Sequence, residues 1–315
     1  MKTRSAIVTV SLLLFTACSP RDNTIPPPEG WTTTTAPATS ADSPPVVWQI
    51  TSGLQAPESA YYDAESGFLF LSQGGGGGGD EKDGDGWVSK LTLNGEMVTD
   101  KWATGFNSPK GLRSHGGTLW VSDIDRIVAI DIDQGEISEE VEITDAKFLN
   151  DLACGPDGAV YVVDMLASRI YRFHEGELSV FVEGEEIDHP NGLLVHDGKL
   201  FMAGWGQGFN TADFSTDPKG RLQAIDLETK EKTVITPEPT GNLDGVEADG
   251  HGGFLVTDWI SGNLFHVKPD GASEVILEFP KGLADQAYLP DRHLLILPES
   301  VENKLTALDM SGLLP

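Results

Sequence analysis

Basic residues are scarce in this chain. Its 315 residues include 21 Lys and Arg against 49 Asp and Glu, for a formal charge of −28. A surface of that sign repels phosphates and anionic bilayers, which excludes nucleic acid as a partner. Cysteine is nearly missing too. Cys18 and Cys154 belong to different parts of the chain, so no disulfide framework is implied. Cys154, in a short apolar stretch, is expected as a buried free thiol. No long helical period appears, which argues against a helical fold. The apolar run Ser5–Phe15 is too short to span a bilayer as a mature helix. Glycine is abundant, at 36 residues, and a hydrophobic share of 39% suffices for a packed core.

The first residues read as an address. Met1-Lys2-Thr3-Arg4 is basic, Ser5–Phe15 is largely apolar, and Thr16-Ala17-Cys18 follows, the pattern of an export signal. Small residues before a cysteine resemble the bacterial lipobox, although Phe15 stands where leucine is usual. The resemblance implies cleavage after residue 17, lipidation of Cys18, and a membrane-anchored lipoprotein at the periplasmic side of an outer membrane or at the cell surface. Ser19 fits outer-membrane sorting. An ordinary secreted protein that discards Cys18 with its signal is the alternative. Cleavage removes two bases and no acid, taking the formal charge to −30. Residues 18–45 are rich in Pro, Thr and Ser and read as a disordered tether. The folded domain is expected over 46–315.

That domain repeats. Leu243-Asp244-Gly245 has degraded equivalents at Pro57-Glu58-Ser59, Pro109-Lys110-Gly111, Leu149-Asn150-Asp151, Pro190-Asn191-Gly192 and Leu283-Ala284-Asp285. The middle residues are spaced by 52, 40, 41, 53 and 40 positions. A period near 40 with β-rich content marks a propeller. Each unit follows one order: the middle residue, a short strand, an Asp/Gly turn, an apolar strand and a polar stop such as Ser122-Asp123 or Thr257-Asp258. The sixth unit lacks a fourth strand and Val46–Ile50 is spare. The fold expected is all-β, a six-bladed β-propeller closed by pairing the N-terminal strand with the last blade. Two spacings are long because of the segments 74–86 and 204–218. Glu81-x-Asp83-x-Asp85-Gly86 is a poor calcium loop, since Thr92 stands where a bidentate Glu is needed.

In such a fold the six middle residues form one ring at the axis. Glu58, Asn150, Asn191 and Asp244 then supply two carboxylates and two amide carbonyls. Hard oxygen donors with two negative charges match one divalent cation, calcium before others. The same side chains could instead only hydrogen-bond across the channel mouth. Lys110 is the exception in the ring: an ammonium some 6 Å from a divalent cation costs roughly 5 kcal/mol at an effective dielectric of about 20. It could pair with Asp123, meet an anionic substrate, or replace the cation by neutralising Glu58 and Asp244. Trp205, Trp259 and His189 are candidate neighbours of a substrate pocket.

Glu58-Ser59, Asn150-Asp151 with Pro156-Asp157-Gly158, Pro190-Asn191-Gly192 and Asp244-Gly245 together resemble the gluconolactonase/regucalcin-type propellers, also known as senescence-marker-protein-like, over roughly residues 46–310. The resemblance implies one divalent metal on Glu58, Asn150, Asn191 and Asp244. It further implies that Asp244 acts as general base or nucleophile in hydrolysis of lactones or related esters. Sugar-lactone members carry a basic residue two before the Asn150 position; here Phe148 stands there. A non-catalytic cell-surface propeller that binds a small molecule or a protein partner is the other reading.

Overall fold

A computed structural model describes residues 33–34, 43–76, 79 and 81–314. The expected signal, Cys18 and most of the tether lie outside the described residues. The described chain forms six sheets, five of four strands and one of five, and no α-helix. Each four-stranded sheet is an antiparallel meander of consecutive strands, as in blade three: Leu149–Cys154, Val160–Asp164, Arg169–His174 and Glu177–Glu183. The innermost strands of neighbouring blades run side by side. Ser59 bridges Asp285 in parallel, with Ala60 N–H donating to Asp285 O at 3.1 Å and Asp285 N–H to Glu58 O at 3.0 Å. This is a six-bladed β-propeller.

Ring closure follows the expected scheme. Val46–Ile50 pairs antiparallel with Lys304–Asp309, the third strand of blade six, and so removes the open edge. Thr33–Thr34 pairs in turn with Gln49 and Ile50, adding a fifth strand from within the expected tether.

Propeller blades present hydrophobic surface on both faces, because each is sandwiched between two others. The apolar residues accordingly sort into six clusters, one per blade interface. The closing interface contains Trp48, Ile50, Leu69, Leu71, Ile296 and Leu305. Trp48 is fixed further by its indole N–H, which donates to Leu93 O at 3.0 Å.

Candidate functional site: an oxygen-lined pocket on the propeller axis

Each innermost strand is irregular at the same place. In blades one to five the register slips between Pro57 and Ala60, Pro109 and Leu112, Leu149 and Leu152, Pro190 and Gly192, and Leu243 and Val246. The middle residues Glu58, Lys110, Asn150, Asn191 and Asp244 all sit in these bulges. A bulge re-aims a side chain out of the pleat, and all five line one cavity of about 340 Å³ at the axis. Ala284 contributes no polar group.

The motif residues around them are scaffolding. The glycines permit close approach of the next blade: a Cβ on Gly192 would lie 1.9 Å from Asp244 O, and one on Gly245 would lie 2.5 Å from Asp285 Oδ1. The polar stops clamp the turns that enter the inner strands. Asp123 accepts from the Asn107 and Ser108 amides at 3.1 and 2.8 Å, Asp164 from those of Lys147 and Phe148 at 2.8 and 2.9 Å, and Asp258 from Asn242 N–H at 3.1 Å. Before Asp123 and Asp258 a hydroxyl residue stitches the bulge to the next blade, whereas Val163 precedes Asp164. Thr257 accepts from Gly245 N–H at 2.9 Å and donates to Ala284 O at 3.1 Å, and Ser122 donates to Asn150 O.

Three ring oxygens are buried without a hydrogen-bond partner: Glu58 Oε2, Asn150 Oδ1 and Asn191 Oδ1. Asn191 Nδ2 donates to Asp244 Oδ2 at 2.8 Å, which leaves its carbonyl as the orphan. Buried acceptors are costly when unpaired, on the order of 1–3 kcal/mol each. Three of them lining one cavity beside a fourth oxygen donor is the arrangement a hard cation satisfies. Among the described residues no three His, Cys, Asp or Glu side chains cluster to hold a metal. A cation here therefore depends on the two amide carbonyls as well as on Glu58 and Asp244, and the set fits that role.

Burial raises Glu58 from 4.5 to about 8, with Lys110 pulling it down and Asp285 pushing it up. Asp244 is held well above the usual carboxylate range by burial first and then by Glu58, Asp285 and Asp151. Both ring carboxyls hold protons tightly unless a cation takes their place.

Beneath the ring lies a polar layer that sequence reasoning missed. Arg113 Nη1 approaches Asp285 Oδ2 at 3.4 Å and Nη2 approaches Glu247 Oε1 at 3.2 Å, so the guanidinium reaches across the axis from blade two toward blades five and six. Ser59 Oγ donates to Asp285 Oδ2 at 2.6 Å, and Asp151 accepts the Leu193 and Leu152 amides, both at 2.7 Å. Burial works against the Arg113 charge, but Asp285, Asp151 and Glu247 outweigh it and hold it protonated. A register signal existed: Arg113 and Glu247 each fall three positions after a ring residue, as does Tyr61, whose ring faces the guanidinium.

Lys110 does not pair with Asp123, which is engaged by Arg126 at 2.8 Å. Its ammonium donates to Gly79 O at 2.8 Å and to Ser108 O and Oγ at 3.0 Å, and it lies over the Phe148 ring at 4.8 Å. Both long segments reach the ring end of the axis. Gly74 and Gly79 come from one, and Trp205, Asp213 and Phe214 from the other. The second folds as a flap closed by a Gly206–Lys219 bridge, and Trp205 Nε1 donates to Phe214 O at 2.8 Å. Trp205 and Trp259 stand 6.3 Å apart in the cavity wall. His189 is not among the lining residues; it is buried behind two of them, its ring bonded to Met165 O at 2.8 Å and its carbonyl accepting from Trp205 N–H at 3.0 Å. Lys281, over Trp259 at 4.8 Å, lines the wall and has no counterpart in the repeat.

Fold and site together define a six-bladed propeller with an oxygen-lined axial pocket. The profile of the SMP-30/Gluconolactonase/LRE-like region matches residues 86–296, and the chain belongs to that family. Glu58 lies upstream of the matched segment. Among solved structures, a gluconolactonase from Xanthomonas campestris is similar at 17% identity and a TM-score of 0.64, over 89% of this chain and 98% of that one. Virginiamycin B lyase from Staphylococcus aureus, solved as a catalytically inactive variant with quinupristin, is similar at 15% identity and a TM-score of 0.56, over 89% of this chain and 99% of that one. At these identities the likeness carries the fold alone. No curated protein matches the chain.

Proposed function

We propose that this protein is a divalent-cation-dependent hydrolase of lactones or related esters. The observation that carries the reading is the set of orphaned buried oxygens on Glu58, Asn150 and Asn191 beside Asp244. These four residues would hold the cation, and calcium suits their hard oxygen donors. When bound, it would polarise the ester carbonyl and stabilise the oxyanion. Family membership supports the same reaction class.

The chain's own part is general-base chemistry. Asp244 is positioned by Asn191 and takes the proton of the attacking water. Water oxygen bonds to the acyl carbon, the ring C–O bond breaks, and the alkoxide leaves with a proton as the hydroxyl of a hydroxy acid. The aromatic wall limits competing solvent. Asp244→Asn keeps the shape and the Asn191 contact region but removes the base. Its kcat for a lactone panel is expected to drop about 10²–10⁴-fold with the fold intact by circular dichroism. Undiminished turnover in the variant would overturn the assignment. The alternative, a binding propeller in which Lys110 neutralises the ring, predicts no turnover across the same lactone panel and no stabilisation by calcium.

A further inference from the structure

The walls of the pocket say what kind of substrate fits. Above the ring, the lining is dominated by Phe148, Met165, Trp205, Phe214, Trp259 and Ile260. Polar groups there are few, namely Ser108, Lys110, Asp213, Lys281 and Ser300, and Lys281 lies over the Trp259 ring at 4.8 Å. The Ser108 hydroxyl accepts from Lys110, and Trp205 Nε1 donates to the flap's own backbone. Asp213 is tied to Ser215 at 2.6 Å. A polyhydroxylated acyl body buried here would leave hydroxyls without partners, which costs on the order of 1–3 kcal/mol for each. An apolar body would gain from the same surface, roughly 25 cal/mol per Å² covered.

We propose that the substrate is a lactone or ester with an apolar acyl body, alkyl or aryl, rather than a sugar lactone. This rests on the hydrolase reading above. The geometry places the reacting carbonyl at the ring and the apolar body against the Trp205–Trp259 wall. Phe214, exposed at 40% on the flap, closes over its far end. The flap is anchored at its base, where Asp217 N–H donates to Gln207 O and Gln207 N–H donates to Pro218 O, both at 3.0 Å. Its tip is where size selection acts.

The test is a series of δ-lactones with alkyl substituents of increasing length, run beside glucono-δ-lactone on the purified protein with calcium. The expected result is a rise in kcat/KM of up to about fourfold per added methylene until the wall is covered, with glucono-δ-lactone at the bottom. Phe214→Ala is expected to flatten the slope for the longest members of the series; an unchanged slope counts against the flap as the size selector. A flat series, or glucono-δ-lactone as the best substrate, overturns the proposal. If no lactone turns over, the hydrolase reading fails, and binding decides the pocket separately. An alkyl δ-lactam that quenches the Trp205/Trp259 fluorescence more tightly than a hydroxylated lactam sustains the apolar site; equal or weaker binding removes it.

Discussion

Arg113 is the residue on which the interior electrostatics turn. It is buried, and its side chain meets Asp285 and Glu247 with Asp151 close by. Removing one member of a buried ionic group strands the rest, at about 3–5 kcal/mol. Arg113→Met is expected to lose about that much unfolding free energy in urea melts, and Arg113→Lys to lose less because the charge stays. Equal losses would mean that packing rather than charge is at stake. Glu58 gives a pH signature. Its value is raised from 4.5 to about 8 by burial, opposed by Lys110. A raised carboxyl keeps its proton longer in the native state. Its stabilising share is whole below pH 4.5 and is lost as pH climbs toward about 8. In chelator, wild-type stability relative to Glu58→Gln is therefore expected to fall across that window. A constant difference between the two proteins would contradict the buried, cation-free carboxyl.

At the scale of elements, the recurring unit is the bulged inner strand with its Asp clamp. It is legible because its parts leave traces in sequence: a proline or leucine, a ring residue, a small residue where the next blade comes close, and, in blades two, three and five, an Asp at the end of the second strand. A period of about 40 then counts the blades. What cannot be read comes from side chains and segments outside the repeat. Arg113 is the exception within the repeat: it shares with Glu247 the register three positions after a ring residue, but that blades two and five face each other across the axis appears only in the closed ring. The flap and Lys281 have no equivalents in other blades, so no register predicts their place. His189 departs from its expected place beside the pocket for a related reason: it precedes the ring motif Pro190-Asn191-Gly192, but its ring is bonded to Met165 O behind the wall. A Lys110–Asp123 pair is plausible on sequence because it needs no knowledge of the fold; in three dimensions Arg126 already occupies that carboxylate.

For the whole molecule, closure is the structural commitment. The chain's first long strand completes its last blade, so the core between blades six and one forms only when both ends have folded. Trp48 is at the centre of that seam, 3% exposed. Trp48→Ala is expected to cost about 3–5 kcal/mol, with one cooperative transition at lower denaturant. A loss under about 1 kcal/mol would mean that the seam is dispensable. The ring at the axis depends on this closure, since Glu58 belongs to blade one and its backbone bonds Asp285 of blade six. A cation held by Glu58, Asn150, Asn191 and Asp244 is read out by calorimetric melting of the purified protein in chelator and in calcium, beside Glu58→Gln. At a calcium concentration about 100-fold over the dissociation constant, the native state is expected to gain about 2.7 kcal/mol, and Glu58→Gln to abolish most of the gain. Identical melting with calcium and with chelator would contradict the site.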